Sequence, residues 1–294
     1  MTILFKSISD DVDVWRRELT RHLPEQHVEL YPDEIRDPVE IDYAVVWKPP
    51  RGMLGSLPNL RAIFSMGAGV DHLANDPDLP RDVPVVRMVD KGLTERMTEY
   101  VTWAVLRHHR RIREYRDNQG AHLWRERPVP LGRERRVGIM GLGELGADAA
   151  RMLTALRFDV AGWSNSRKTI DGVTSYAGPD ELPSFLERTD ILVCLLPLTE
   201  ETQGILNRET LERLPVGGCL VNAARGKHLV EDDLLALLAS GRIGEATLDV
   251  FAEEPLPSDH PFWGHPRVMV TPHVASVTPA ETAAAEIAAN IRRI

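Results

Sequence analysis

Val137-Gly138-Ile139-Met140-Gly141-Leu142-Gly143-Glu144-Leu145-Gly146 is the stretch that decides how this chain folds. A short apolar run, Val137–Met140, enters the pattern G-x-G-x-x-G, and a helical pattern over Glu144–Leu156 leaves it. The stretch therefore predicts a strand, a tight turn and a helix in that order. Gly141 permits the turn, Gly143 lets the backbone approach a pyrophosphate, and Gly146 lets the helix pack close to the strand. An anion is favoured at the helix start, where free N–H groups and the helix dipole converge. Leu142, Glu144 and Leu145 complete the predicted cradle. Glycines in ordinary turns give the same letters; the position between strand and helix is what points to a dinucleotide.

Working outward, the same alternation continues on both sides. Downstream, strands are predicted at Val160–Trp163, Ile191–Leu196, Cys219–Asn222, Ala246–Val250 and Val268–Thr271. Helices fall between them at Asp180–Glu187, Arg208–Leu214 and Asp232–Ser240. Upstream, Ile3–Lys6, Val28–Tyr31, Tyr43–Trp47, Ala62–Met66 and Val85–Val89 read as strands, with a helix over Asp11–Leu23. One long helix is expected from about Thr94 to Gln119, and a last one over Pro279–Ile294. Two βα series predict an α/β chain with two doubly wound parallel-sheet domains. The expected division is a flavodoxin-like substrate domain, 1–99 plus 275–294, and a Rossmann dinucleotide-binding domain, 100–274.

Bulk composition narrows the class. The 294 residues are 43% hydrophobic and 27% charged, as in a soluble globular protein. A formal charge of −9 argues against nucleic acid or an anionic membrane as partner. The arginine-rich stretch from Arg107 to Arg116 reads as the solvated face of a helix. Cys194 and Cys219 lie in apolar runs and read as small core residues, with no zinc spacing and no disulfide framework. The first residues lack the apolar centre of a signal peptide, and no run nears the roughly 20 apolar residues of a membrane span, so the cytosol is the expected compartment.

The strand after the glycine motif ends Gly162-Trp163-Ser164-Asn165-Ser166-Arg167-Lys168. A site for NAD(H) places an acid there for the ribose 2′-OH. None is present, and Asp159 lies at the wrong end of the strand. Arg167 and Lys168, helped by Ser164 and Ser166, suit a 2′-phosphate instead, so NADP(H) is the expected cofactor and NAD(H) the alternative. The plain alternative is a solvated basic loop.

Three further strands end in polar residues. Val221-Asn222-Ala223-Ala224-Arg225-Gly226 runs into a glycine turn, Asp249-Val250-Phe251-Ala252-Glu253-Glu254-Pro255 into an acidic loop, and Val270-Thr271-Pro272 into His273. Parallel strands would bring all three to the sheet edge that holds the glycine motif. Reducing a carbonyl needs a proton on oxygen as hydride reaches carbon, and a histidine suits that task. A carboxylate beside the ring favours imidazolium and fixes it, which is the part expected of Glu254. Arg225 offers a planar fork for a substrate carboxylate. Asp249 is expected to hold the nicotinamide end. Each has an ordinary reading as a surface or loop side chain, and the case rests on their convergence.

In the first domain, Gly67-Ala68-Gly69 follows a strand and opens a helical segment, where N–H groups suit a carboxylate. Trp47 ends a neighbouring strand and either walls the same substrate site or packs in the core.

Taken together, Gly67–Asp71, the glycine motif, Ala223–Gly226, Asp249–Leu256 and Thr271-Pro272-His273 resemble the D-isomer-specific 2-hydroxyacid dehydrogenase family. The resemblance covers nearly the whole chain. It implies NADPH-dependent reduction of a small 2-keto acid, glyoxylate or hydroxypyruvate, with Arg225, Glu254 and His273 catalytic and His273 the proton donor. It also implies that Leu196, Pro197, Thr202, Ala223 and Ala224 flank the cofactor, and that the chain forms a homodimer through the nucleotide domain and the long helix before it. A bulkier 2-keto acid is the alternative substrate, and a dinucleotide-sensing binding protein the alternative class. Family members usually continue beyond the final helix, whereas this sequence ends at Ile294.

Overall fold

The computed structural model describes residues 1–8 and 10–294. They form two compact units, residues 1–93 with 277–294 and residues 94–276.

The first unit holds strands β1 (Thr2–Lys6), β2 (His27–Leu30), β3 (Ile41–Val46), β4 (Ala62–Ser65) and β5 (Val85–Val86), all parallel, in the order β2-β1-β3-β4-β5. That is the flavodoxin-like order. Ile3, Leu4, Phe5, Ala44, Val45 and Val46 are buried, as expected of parallel strands covered on both faces. Helix α1 (Val12–His22) starts where the Asp11 side chain accepts the N–H groups of Asp13 and Val14, and stacks Trp15 on Phe5. Helix α2 (Asp71–Ala74) is a single turn after β4.

Along the chain then come α3 (Lys91–His109), α4 (Ile112–Gly120), β6 (Arg136–Met140), α5 (Glu144–Ala155), β7 (Asp159–Ser164), β8 (Val173–Ala177) and α6 (Gly178–Glu187). They are followed by β9 (Ile191–Cys194), α7 (Arg208–Leu211), β10 (Gly218–Asn222), α8 (Glu231–Ser240), β11 (Ile243–Leu248) and β12 (Val268–Val270). Helix α9 (Ala280–Ile291) belongs to the first unit. The second unit's sheet is parallel throughout, in the order β12-β11-β10-β9-β6-β7-β8. Strand order reverses between β6 and β9, and open α/β sheets bind ligands beyond the strand ends at such a point.

Four features depart from the sequence reading. The long helix breaks at Arg111, whose φ of 58° is left-handed, and restarts as α4. Strand β8 is not among the strands expected from sequence; its residues Val-Thr-Ser-Tyr-Ala are only half apolar, as suits the edge of a sheet. The units divide at 93/94 and 276/277, not at 99/100 and 274/275. The cause is that Met97, Val101, Ala104 and Val105 of α3 belong to the second unit's core. The arginine stretch is also not a wholly solvated face: the Arg107 side chain is 9% exposed and reaches Glu245 at 3.2 Å.

Candidate active site

Because all strands of the second unit are parallel, the ends of β6, β7, β9, β10, β11 and β12 lie along one edge of its sheet. Every residue assigned to this unit's site by sequence lies at one of those ends or in the segment that follows it.

His273 follows β12 and takes a left-handed φ of 54°. Its conformation is held from several directions. The His273 N–H donates to the Asp249 carbonyl at 2.7 Å, and the Asp249 carboxylate accepts the N–H groups of Val274 at 2.9 Å and Ala275 at 2.8 Å. The same carboxylate accepts the Thr271 hydroxyl at 2.6 Å. Since that hydroxyl proton is spent on Asp249, the Tyr100 hydroxyl, 2.7 Å away, is the donor to Thr271. Burial, opposed by the bond to Thr271, leaves the Tyr100 phenol with a raised pKa, so it stays a donor. Asp249, expected to hold the nicotinamide, is thus 1% exposed and engaged in shaping the His273 loop.

The imidazole and Glu254 do come together: His273 Nδ1 lies 2.9 Å from Glu254 Oε2. Glu254 is itself fixed by the Phe251 N–H, which donates to Oε1 at 3.2 Å. A carboxylate at Nδ1 assigns the proton there and turns Nε2 to the opposite side of the ring.

Arg225 follows β10 in extended backbone. The turn that carries it is packed hard against the acidic loop, since a Cβ at Gly226 would meet the Phe251 carbonyl carbon at 1.8 Å. Asn222 braces the turn, donating to the Arg225 carbonyl at 3.1 Å and accepting the Ala224 N–H at 3.2 Å. His228, fully buried, is a residue the sequence reading missed. Its ring nitrogens lie 3.1 Å from the Arg225 carbonyl and 3.2 Å from that of Pro197, joining the arginine turn to the loop after β9. In that loop Thr202 donates to the Pro197 carbonyl at 2.7 Å and accepts the Thr199 N–H at 2.8 Å, so its hydroxyl shapes the loop. Leu196, Ala223 and Ala224 are buried.

The glycine turn fits a dinucleotide. Gly141 has φ of 101°, and a Cβ there would meet the Leu195 carbonyl oxygen at 2.7 Å. A Cβ at Gly146 would lie 1.8 Å from the Gly141 carbonyl oxygen, so only glycine lets α5 start this close to β6. At Gly143 an added Cβ meets nothing within 4 Å: this is open space at the N-terminus of α5, where a pyrophosphate would lie. Leu142 is buried and Glu144 exposed. Beyond β7, Ser164 is buried, with its hydroxyl donating to the Ser166 carbonyl at 2.8 Å, whereas Ser166, Arg167 and Lys168 are exposed.

In the first unit, Gly67, Ala68 and Gly69 follow β4, and Trp47 follows β3. Trp47 is half-buried, with its ring against Gly67, where a Cβ would meet it at 2.5 Å, and edge-on to His72 at 4.6 Å. Among the described residues there is no cluster of three or more metal-ligating side chains, and no helix long and apolar enough to cross a membrane.

A fold of this kind with a guanidinium, a carboxylate and an imidazole at its strand ends defines a class, and comparison with known proteins agrees. A family model described as D-isomer specific 2-hydroxyacid dehydrogenase, NAD binding domain, matches residues 102–275. The chain belongs to the D-isomer-specific 2-hydroxyacid dehydrogenase family. It is 43% identical over 297 residues to a glyoxylate/hydroxypyruvate reductase A of Yersinia enterocolitica, covering 99% of this chain and 94% of that one. Among solved structures it resembles an NADPH-dependent glyoxylate/hydroxypyruvate reductase of Sinorhizobium meliloti in complex with NADP and sulfate. There the TM-score is 0.94 and the identity 41%, over 99% of this chain and 94% of that one. A family member from Xanthobacter autotrophicus, in complex with NADPH and MES, gives a TM-score of 0.95 at 43% identity over the same shares of the two chains.

Proposed function

We propose that the chain is an NADPH-dependent reductase of small 2-keto acids, with glyoxylate and hydroxypyruvate as substrates. The observation that carries this is the Glu254–His273 pair at the end of β12, on the strand edge that also holds the glycine turn and Arg225. The relatives named above supply the substrate class and the cofactor.

NADPH supplies the hydride to the keto carbon. The chain's own residues do the rest. His273, with Nδ1 held by Glu254, gives a proton from Nε2 to the carbonyl oxygen as hydride reaches the carbon. Glu254 holds Nδ1 and stabilises the imidazolium before transfer. Arg225 takes the substrate carboxylate in its planar fork and polarises the carbonyl. The backbone at Gly141–Gly146 takes the pyrophosphate, Arg167 and Lys168 the 2′-phosphate, and the Pro197–Thr202 loop with Ala223 and Ala224 the remaining cofactor surface. Asp249 would hold the nicotinamide end while its carboxylate keeps the His273 loop in place. In the first unit, the backbone N–H groups of Ala68 and Gly69 suit a carboxylate, with Trp47 near them against Gly67.

The chain is also read as a homodimer. Trp103, Leu106, Ile112, Met152 and Met269 line an apolar groove of about 720 Å³ on the second unit, and a second copy would cover it. A solution mass of two chains is the expected result.

A panel of 2-keto acids with NADPH and NADH tests the activity. Turnover of glyoxylate and hydroxypyruvate should exceed that of bulkier acids, and NADPH should be preferred. No NADPH oxidation with any member of the panel would end this reading.

A further inference from the structure

Arg167 is not a loose surface cation. Its Nη2 donates to Glu181 Oε1 at 2.5 Å, and its Nη1 donates to the Ser175 carbonyl. Glu181 stands in the first turn of α6 and is held from its other side, Oε2 accepting the Ala177 N–H at 2.7 Å. Lys168 is tied into the same edge, its N–H donating to Ser175 Oγ at 3.0 Å. The Ala177 N–H, against a small opposing effect of burial and with help from Arg167, keeps the Glu181 carboxyl below its usual range. Glu181 is therefore an anion fixed beside Arg167, one of the two cations assigned to the 2′-phosphate after the end of β7.

This arrangement has a consequence for cofactor choice. A phosphate monoester near pH 7 carries a charge of about −1.5 to −2, so a fixed carboxylate beside its cation repels it. The same carboxylate also occupies one arm of the guanidinium. A ribose 2′-hydroxyl, having no charge, feels neither effect. We propose that Glu181 is a specificity-determining residue, a built-in competitor for Arg167 that limits how far the site prefers a 2′-phosphate over a 2′-hydroxyl. The proposal rests on the reading of Arg167 and Lys168 as the phosphate's ligands.

Both side chains remain partly exposed, 58% for Arg167 and 38% for Glu181, so the effect is modest, up to about fivefold for a solvated pair of charges. The test is a binding titration of NADPH and NADH, read by cofactor fluorescence without turnover, on the wild type, Glu181→Gln, Arg167→Gln and the double variant. Glu181→Gln should tighten NADPH by about three- to fivefold and leave NADH unchanged within twofold. In the Arg167→Gln background that gain should shrink. An unchanged ratio of the two affinities in Glu181→Gln would overturn the proposal. So would weakened NADPH binding, which would make Glu181 a support that orients Arg167. If Arg167→Gln weakens NADPH no more than NADH, the phosphate reading itself fails and the proposal goes with it; if Arg167→Gln is selective but Glu181→Gln is not, only the proposal fails.

Discussion

Arg225 shows what a single side chain is asked to do. The Asn222 brace and the buried His228 hold its extended backbone at the end of β10, and its Nη1 donates to the Ala224 carbonyl at 2.7 Å. If it binds the carboxylate and polarises the carbonyl, Arg225→Ala should lower kcat/KM for glyoxylate on the order of 10³-fold. Arg225→Lys should recover only part of the loss, because an ammonium is a point charge without the planar fork. A loss under tenfold for the alanine variant would remove Arg225 from the reaction. Glu254 allows a similar comparison. Glu254→Gln keeps the shape but not the charge beside His273, and should cost roughly 10²-fold in kcat/KM. Glu254→Asp keeps the charge at shorter reach and should lose less. Equal losses in the two variants would mean that geometry, not charge, is what Glu254 supplies. At this scale the sequence was legible where chemistry has few alternatives: the arginine, the acid and the histidine stand at strand ends in a recognisable order. It was silent on His228, Tyr100 and Thr271, whose parts arise from contacts between residues distant in the chain. It also gave no sign that the Asp249 carboxylate holds the His273 loop, since no spacing rule says that a carboxylate will accept amides about 25 residues away.

At the scale of elements, α3 does more than span a gap. Its last turn delivers His108 and Arg107 onto β11. His108 Nε2 lies 3.0 Å from the Thr247 hydroxyl and Nδ1 3.5 Å from Glu245, and Arg107 and Arg113 also reach that carboxylate. Burial alone would pull His108 down, but Cys219 and Glu245 outweigh it and leave it pushed up to about 9. In the unfolded chain the ring titrates near 6.5. The folded state therefore holds this proton more tightly, and the stabilisation is complete below pH of about 6.5 and lost as pH rises through about 9. Urea unfolding between pH 6 and 9.5 should show a fall on the order of 2–3 kcal/mol from this source. His108→Gln should flatten that slope, and an equally steep slope in the variant would show that His108 is not its origin. The periodic pattern could not foretell this cluster, because arginines on a helix look alike whether they face water or a buried acid. The break at Arg111 was hidden for a related reason: nothing in Arg110-Arg111-Ile112 signals a left-handed residue.

For the whole molecule, two βα series gave two parallel sheets, their neighbouring strands joined by crossover connections. That level was the most legible, since apolar strands alternating with helices admit few arrangements. The unit boundaries were less so, because α3 crosses one of them and its apolar face alone does not say which core it joins. Parallel strands carry the glycine turn, Arg225, Glu254 and His273 to one edge, and the proposed reaction depends on that gathering. The most direct test is NADPH-driven reduction of glyoxylate by His273→Asn, with the affinity for NADPH measured on the same protein. A kcat/KM lower by about 10³-fold with NADPH affinity unchanged is the expected result. Turnover within tenfold of the wild type would contradict the assignment of the proton to His273.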